Sequence, residues 1–76
     1  MKKKAMLSQP MAGRTEQEIV DVRDRAIAEL ERRGYEVANN MSLCHAAYFC
    51  HGWQNERGCR IEHDAAVAYG LEVIEE

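Results

Sequence analysis

Only four residues, Asn39 to Ser42, separate two strand-like segments in the middle of this 76-residue chain. No other feature limits its topology as much. Tyr35 to Ala38 reads as one strand and about Leu43 to Cys50 as the next, with Asn39-Asn40 as a turn between them. Two-residue alternation puts Cys44, Ala46, Tyr48 and Cys50 on one face of the later segment, and His45, Ala47, Phe49 and His51 on the other. Apolar residues on both faces suit a central strand of a parallel sheet. Yet a parallel crossover ordinarily takes a dozen or more residues, usually including a helix. About five residues stretch no more than roughly 16–18 Å, too little to descend a sheet and cross a neighbour. Three arrangements would satisfy so short a link: an antiparallel turn at Asn39-Asn40, a strand exchanged between subunits, or a disordered second strand.

The rest of the chain supplies the other elements. Lys3 to Leu7 is a short apolar strand, stopped by a loop in which Pro10 removes a donor and Gly13 relaxes the backbone. Thr15 and Glu18 have the spacing of a capping box, which marks the start of a helix. Ile19, Val22, Ala26, Ile27 and Leu30 then recur at three- and four-residue steps as its apolar face. Asp21 with Arg25, and Glu29 with Arg33, lie one turn apart on the wet side, and Gly34 ends the helix. After a loop at Gly52 to Asn55, a second helix begins near Asn55 or Glu56 and ends at Gly70. Its expected buried stripe is Ile61, Ala65, Ala68 and Tyr69. Leu71 to Ile74 makes a last short strand. The order is β-α-β-β-α-β in a single domain, and it contains no internal repeat.

A 46% apolar and 30% charged composition is that of a folded globular chain. Ten basic against thirteen acidic residues give a net charge of -3, which argues against a general nucleic-acid-coating protein. No apolar run approaches a membrane span, and the basic start at Lys2 to Lys4 precedes too short an apolar stretch for an export signal. A cytoplasmic location is expected. Cys44, Cys50 and Cys59 are odd in number and suit buried, reduced thiols. Together with His45, His51 and His63 they make six potential metal ligands. Their spacing matches no zinc pattern, and strand alternation splits the adjacent Cys–His pairs, so no metal is expected.

Two loops are candidates for chemistry, each between a strand end and a helix. Ligands in α/β sheets bind outside the carboxyl ends of strands, where helix N-termini offer free N–H groups. The first loop, Ser8 to Arg14, carries a guanidinium suited to phosphate. Gly13 is equally explained by a tight connection. The second runs from Gly52-Trp53 to Gly58, with Glu62 one turn later. A carboxylate at a cleft mouth can act as nucleophile or general base toward a sugar anomeric carbon. A merely solvated helix glutamate has the same signature. Trp53 fits packing or a lid, and stacking on a base is open to it.

Taken together, Ser8-Gln9-Pro10-Met11-Ala12-Gly13 and Gly52-Trp53-Gln54-Asn55-Glu56-Arg57-Gly58-Cys59-Arg60-Ile61-Glu62-His63 resemble small phage and bacterial proteins related to nucleoside 2-deoxyribosyltransferases. The ending Ala65 to Ile74 is similar as well. The resemblance implies a minimal Rossmann-like (flavodoxin-like) parallel sheet with two helices. The antiparallel turn would instead give a ferredoxin-like sheet, and strand exchange a swapped dimer. It further implies binding of a nucleoside or nucleotide, with cleavage or transfer at the N-glycosidic bond of a deoxynucleoside or its monophosphate. Glu62, four residues after Gly58, takes the place of the nucleophile. Ser8, Gln9, Pro10, Met11, Gly13 and Arg14 would shape the sugar and phosphate pocket. Gly52, Trp53 and Gly58 would complete it on the other side. No cofactor is implied, since the carboxylate supplies the covalent step.

The chain departs from that family between residues 39 and 43, where relatives carry a further helix and active enzymes place an additional acid. Relatives often have Asp where this chain has His45. The rival reading is a catalytically inactive binding or assembly module on the same scaffold. Both readings include a homo-oligomer of at least two chains, because two helices cannot fully cover both faces of the sheet.

Overall fold

A computed structural model describes residues 2–76. Among them, strands β1 (Lys3–Ser8), β2 (Tyr35–Val37), β3 (Ala46–Phe49) and β4 (Glu72–Glu75) form one sheet in the order β2-β1-β3-β4. All three pairings are parallel, so the fold is the minimal Rossmann-like one and the antiparallel alternative does not occur. Helix α1 (Glu16–Arg32) joins β1 to β2, and α2 (Arg57–Ala68) joins β3 to β4.

One chain makes the short crossover by itself, without strand exchange. The reason is register. Ala5 pairs with Val37 on one side and with Ala46 on the other, so β2 ends at the sheet height where β3 begins. Residues 38–45 therefore have no descent to make; they need only pass over β1, a lateral step of about 10 Å. Eight residues reach about 26 Å when extended, which is ample. The Ala38 N–H donates to the Ala5 carbonyl at 2.9 Å and the His45 N–H to the Lys4 carbonyl at 2.7 Å, fastening both ends of the link to β1. Between them a 3₁₀ turn, Met41–Leu43, is capped by the Asn40 side chain, which accepts from the Ser42 N–H at 3.1 Å. The expected length of β2 and β3 was too great by a residue or more at their facing ends, and that excess created the apparent conflict.

The two faces carry separate cores. Ala26 and Leu30 of α1 pack with Ala5, Tyr35, Ala46, Tyr48, Cys50 and Ile74. On the opposite face Ala66 of α2 packs with Met6, Cys44, Ala47 and Phe49. Strand β3 is buried along its whole length, as its composition requires. Cys44 lies before the strand proper and so escapes its alternation, joining the α2 face instead of the α1 face.

Helix α1 follows its sequence pattern. Thr15 Oγ1 accepts from the Glu18 N–H and Glu18 accepts from the Thr15 N–H, a complete capping box. The bond from the Thr15 backbone N–H, and next the Thr15 hydroxyl, hold the Glu18 carboxyl below its usual range. Glu29 meets Arg33 at 2.7 Å as expected, and Arg32 as well. Arg25, however, reaches past Asp21 to Glu76 at 3.0 Å, while Asp21 accepts from Gln17.

Helix α2 is rotated from the expected orientation. Ile61 is 60% exposed and Tyr69 61%, with Ala68 exposed beside them. The sheet-facing positions are Cys59 and Ala66, flanked by half-buried Glu62 and His63. Hydrophobicity alone favours the Ile61 stripe. The polar pair wins because each member has a specific partner inside, as described below.

Replacing Leu30, fully buried against the sheet, by Ala is expected to cost about 2–5 kcal/mol. Thr15→Ala, which removes one half of the capping box, is expected to cost about 1 kcal/mol. Urea unfolding of the two variants checks the order.

Candidate functional site

Chain direction across the sheet reverses between β1 and β3: α1 carries the chain outward from β1 to β2, and everything after the crossover lies on the other side. At such a switch point the loops leaving adjacent strands splay to opposite faces and leave a crevice at the strands' carboxyl ends. Those two loops are residues 9–15 after β1 and 50–56 after β3. Each sequence-derived site residue therefore lies at this one end of the sheet, on the loops, at the end of β1 or in the first turns of α2.

Ser8 is the last residue of β1 and only 1% exposed. Its hydroxyl donates to Glu62 Oε1 at 2.7 Å, joining β1 to α2 at the carboxyl end of the sheet. This bond explains why Glu62 lies on the inner side of its helix. It fixes one carboxylate oxygen, and the other has no hydrogen-bond partner among the described residues. The arrangement is an oriented carboxylate with one oxygen unbonded among the described residues. Ser8 thus serves Glu62 directly, a partnership that no spacing in the sequence announces.

The first loop is stiffened from within. Gln9 Nε2 donates to the Ile19 carbonyl at 2.6 Å, so this amide is turned toward α1. Pro10 is buried, Met11 is exposed, and the Arg14 N–H closes a turn on the Met11 carbonyl at 3.3 Å, with Gly13 at φ 74°. The Arg14 guanidinium lies over Gly52: a Cβ built there would stand 3.2 Å from Arg14 Nη2 and 3.8 Å from Pro10 Cγ. With φ at 90°, Gly52 is required both by its backbone and by the close approach of the first loop. Among the described residues Arg14 makes no ion pair and its guanidinium no hydrogen bond.

The second loop is held from β4. Trp53 Nε1 donates to Glu75 Oε1 at 3.2 Å, and the indole stacks on His63 with centroids 4.2 Å apart and planes 7° from parallel. Phe49 packs tilted against both rings. One face of Trp53 is therefore covered, which makes it an anchor of the loop. The His51 N–H donates to Glu76 at 2.8 Å. Burial works against the Glu76 charge, but this bond and Arg25 outweigh it and hold its carboxyl below the usual range. Gly58, in the first turn of α2, is exposed, with no atom near the position of a Cβ. The N-cap residue of α2 is Glu56, and its side chain does not cap the helix. Instead its Oε1 accepts from the Ala12 N–H at 3.1 Å, tying the second loop to the first.

The cysteines and histidines are dispersed. Cys50 lies in the α1-side core and Cys44 in the other, His45 Nδ1 accepts from the Lys4 N–H, and His63 is in the aromatic stack. Among the described residues no three His, Cys, Asp or Glu side chains gather as metal ligands would. Nor is any helix there long and apolar enough to cross a membrane.

Fold and site together define a minimal Rossmann-like domain with an oriented carboxylate at its switch point. No protein-family model, curated protein or solved structure matches the chain.

Burial pushes the Cys50 thiol up to about 11 from its ordinary 9.0. Below the ordinary value both folded and unfolded chains keep the proton and stability is unaffected. As pH rises from about 9 toward 11 the unfolded chain ionises first, so this group's contribution falls with rising pH. Urea midpoints measured from pH 8 to 10.5 are expected to decline, and Cys50→Ala to decline less steeply.

Proposed function

We propose that the chain binds a nucleoside or nucleotide at the carboxyl end of the sheet, where β1 and β3 meet, and that Glu62 acts on the N-glycosidic bond of the bound deoxynucleoside or its monophosphate. The observation that supports this most is the Ser8–Glu62 bond at the switch point, because it orients a carboxylate where such sheets receive ligands. In the reaction the free Glu62 oxygen attacks the anomeric carbon. A C–O bond forms, the C–N bond breaks, and its electron pair leaves on the base, which takes a proton from solvent. Water or a second base then displaces the carboxylate. Ser8 stabilises the ionised nucleophile and directs it. Arg14 supplies positive charge beside Gly52, and Gly58, with no atom near the position of a Cβ, leaves room for a ligand near the backbone.

The second reading is an inactive binding or assembly module. It draws on the α2 surface, where Ile61, Ala68 and Tyr69 form an exposed apolar stripe. In either reading the stripe is the seat of a second copy, and the chain is at least a dimer. We place it in the cytoplasm, acting on a small molecule without nucleic-acid partners.

Release of free base from deoxynucleosides and deoxynucleoside monophosphates tests the enzyme reading. Glu62→Ala is expected to abolish release while calorimetry still detects binding. Ser8→Ala is expected to lower kcat roughly 10- to 100-fold with KM little changed, the loss of one hydrogen bond to a charged group. No release by the parent chain alongside measurable binding would favour the inactive module. For assembly, light scattering is expected to give at least twice the 8.7 kDa chain mass, and Ile61→Asp to return it to the monomer with the fold intact.

A further inference from the structure

The charges on α2 oppose its own dipole. A helix is stabilised by acidic side chains in its first turn and basic ones in its last. Helix α2 has neither, and its first turn instead carries the exposed Arg57 and Arg60. The same helix turns apolar residues to solvent. Ile61, Val67 and the C-cap residue Tyr69 are exposed, whereas the longer α1 exposes Val20 alone among its large apolar residues. At about 100° and 1.5 Å per residue, Ile61, Ala65 and Ala68 fall on one outward line, opposite the buried Cys59 and Ala66.

We propose that this line is the contact of a twofold dimer in which α2 lies antiparallel to α2 of a second copy, each Ile61 seated against the partner's Ala65 and Ala68. This rests on the reading that the stripe seats a second copy, and adds the partner's orientation. Only small residues stand opposite Ile61, so the helices can approach closely. The reversed charges decide between the two directions. A parallel pair would gather the first-turn arginines of both copies at one end. An antiparallel pair sets Arg57 of each copy beside the C-terminal carbonyls of the partner helix, where positive charge is favourable. A twofold contact makes that interaction twice. Gly58 fits the same geometry. It is exposed, with no atom near the position of a Cβ, on the flank that the partner's Tyr69 would reach. Asp64 lies near the axis on the other flank, with Arg60 one turn away to offset the like charge.

Disulfide trapping reads the orientation, since Cys44, Cys50 and Cys59 are buried and do not compete. In the antiparallel pair the two copies of residue 65 face each other. The two copies of residue 61 lie about 10 Å apart along the helices, too far to bridge. The parent chain is sized by light scattering. Ala65→Cys, Ile61→Cys, Ala68→Cys and an equimolar mixture of the last two are oxidised with oxidised glutathione, which is reduced as each disulfide forms. Covalent dimer is expected from Ala65→Cys and from the mixture, and at least about tenfold less from Ile61→Cys or Ala68→Cys alone. Arg57→Glu, which suits the dipole of its own helix but not the partner's, is expected to weaken the dimer about threefold or more. Efficient trapping of Ile61→Cys alone, or an unchanged dimer affinity in Arg57→Glu, overturns the antiparallel arrangement and leaves the second copy on the stripe. A parent dimer that no variant traps places the contact elsewhere and overturns both. So does a parent chain that stays monomeric.

Discussion

The placement of Ala5 governs the rest of the molecule. It is fully buried and pairs with Val37 on one side and Ala46 on the other. Because both neighbours meet β1 at the same residue, the chain can pass from one flank to the other without a helix. That permits an all-parallel sheet in a chain this small. It also sets the reversal of strand order beside β1. Had β2 continued upward along β1, the link would have had to descend, and the same residues would have needed a different fold.

Within that frame the site is assembled by long-range bonds, each crossing between elements. Ser8 brings Glu62 inward, Glu56 reaches back to Ala12, Arg14 rests over Gly52, and Trp53 is pinned by Glu75 and His63. None of these pairs is local in sequence. The rigidity of the loops therefore comes from the whole fold being formed, including β4, which contributes no candidate site residue of its own. Glu62 is half-buried and oriented by the hydrogen bond from Ser8.

What could be read from the sequence follows the same division. The capped helix α1 was legible to its first residue, because Thr15 and Glu18 act locally and Val22, Ala26 and Leu30 repeat with the helical period. The two switch-point loops were legible as glycine-bearing strand-to-helix junctions. Helix α2 was not. Its most regular apolar positions, Ile61 and Tyr69, face outward, because periodicity records how residues group on a helix and not which group meets the sheet. Only the distant partners Ser8 and Trp53 reveal that Glu62 and His63 belong inside. Glu56 was likewise missed, since an acidic residue before a helix reads as an ordinary cap. The crossover misled for a quantitative reason: one residue too many at the end of β2, and several too many at the start of β3, turned a lateral step into an impossible descent.

The level ends of the link over β1 have a consequence for variation. Since residues 38 and 45 are fastened to adjacent carbonyls of one strand, the connector's length is decoupled from the sheet's register. Material added between Asn39 and Leu43 would neither shift a strand pairing nor move Glu62, and each doubling of a flexible connector costs only about 0.6 kcal/mol in closure entropy. The segment is a natural port: a place where the chain can grow a helix, a lid or an epitope while the sheet stays as it is.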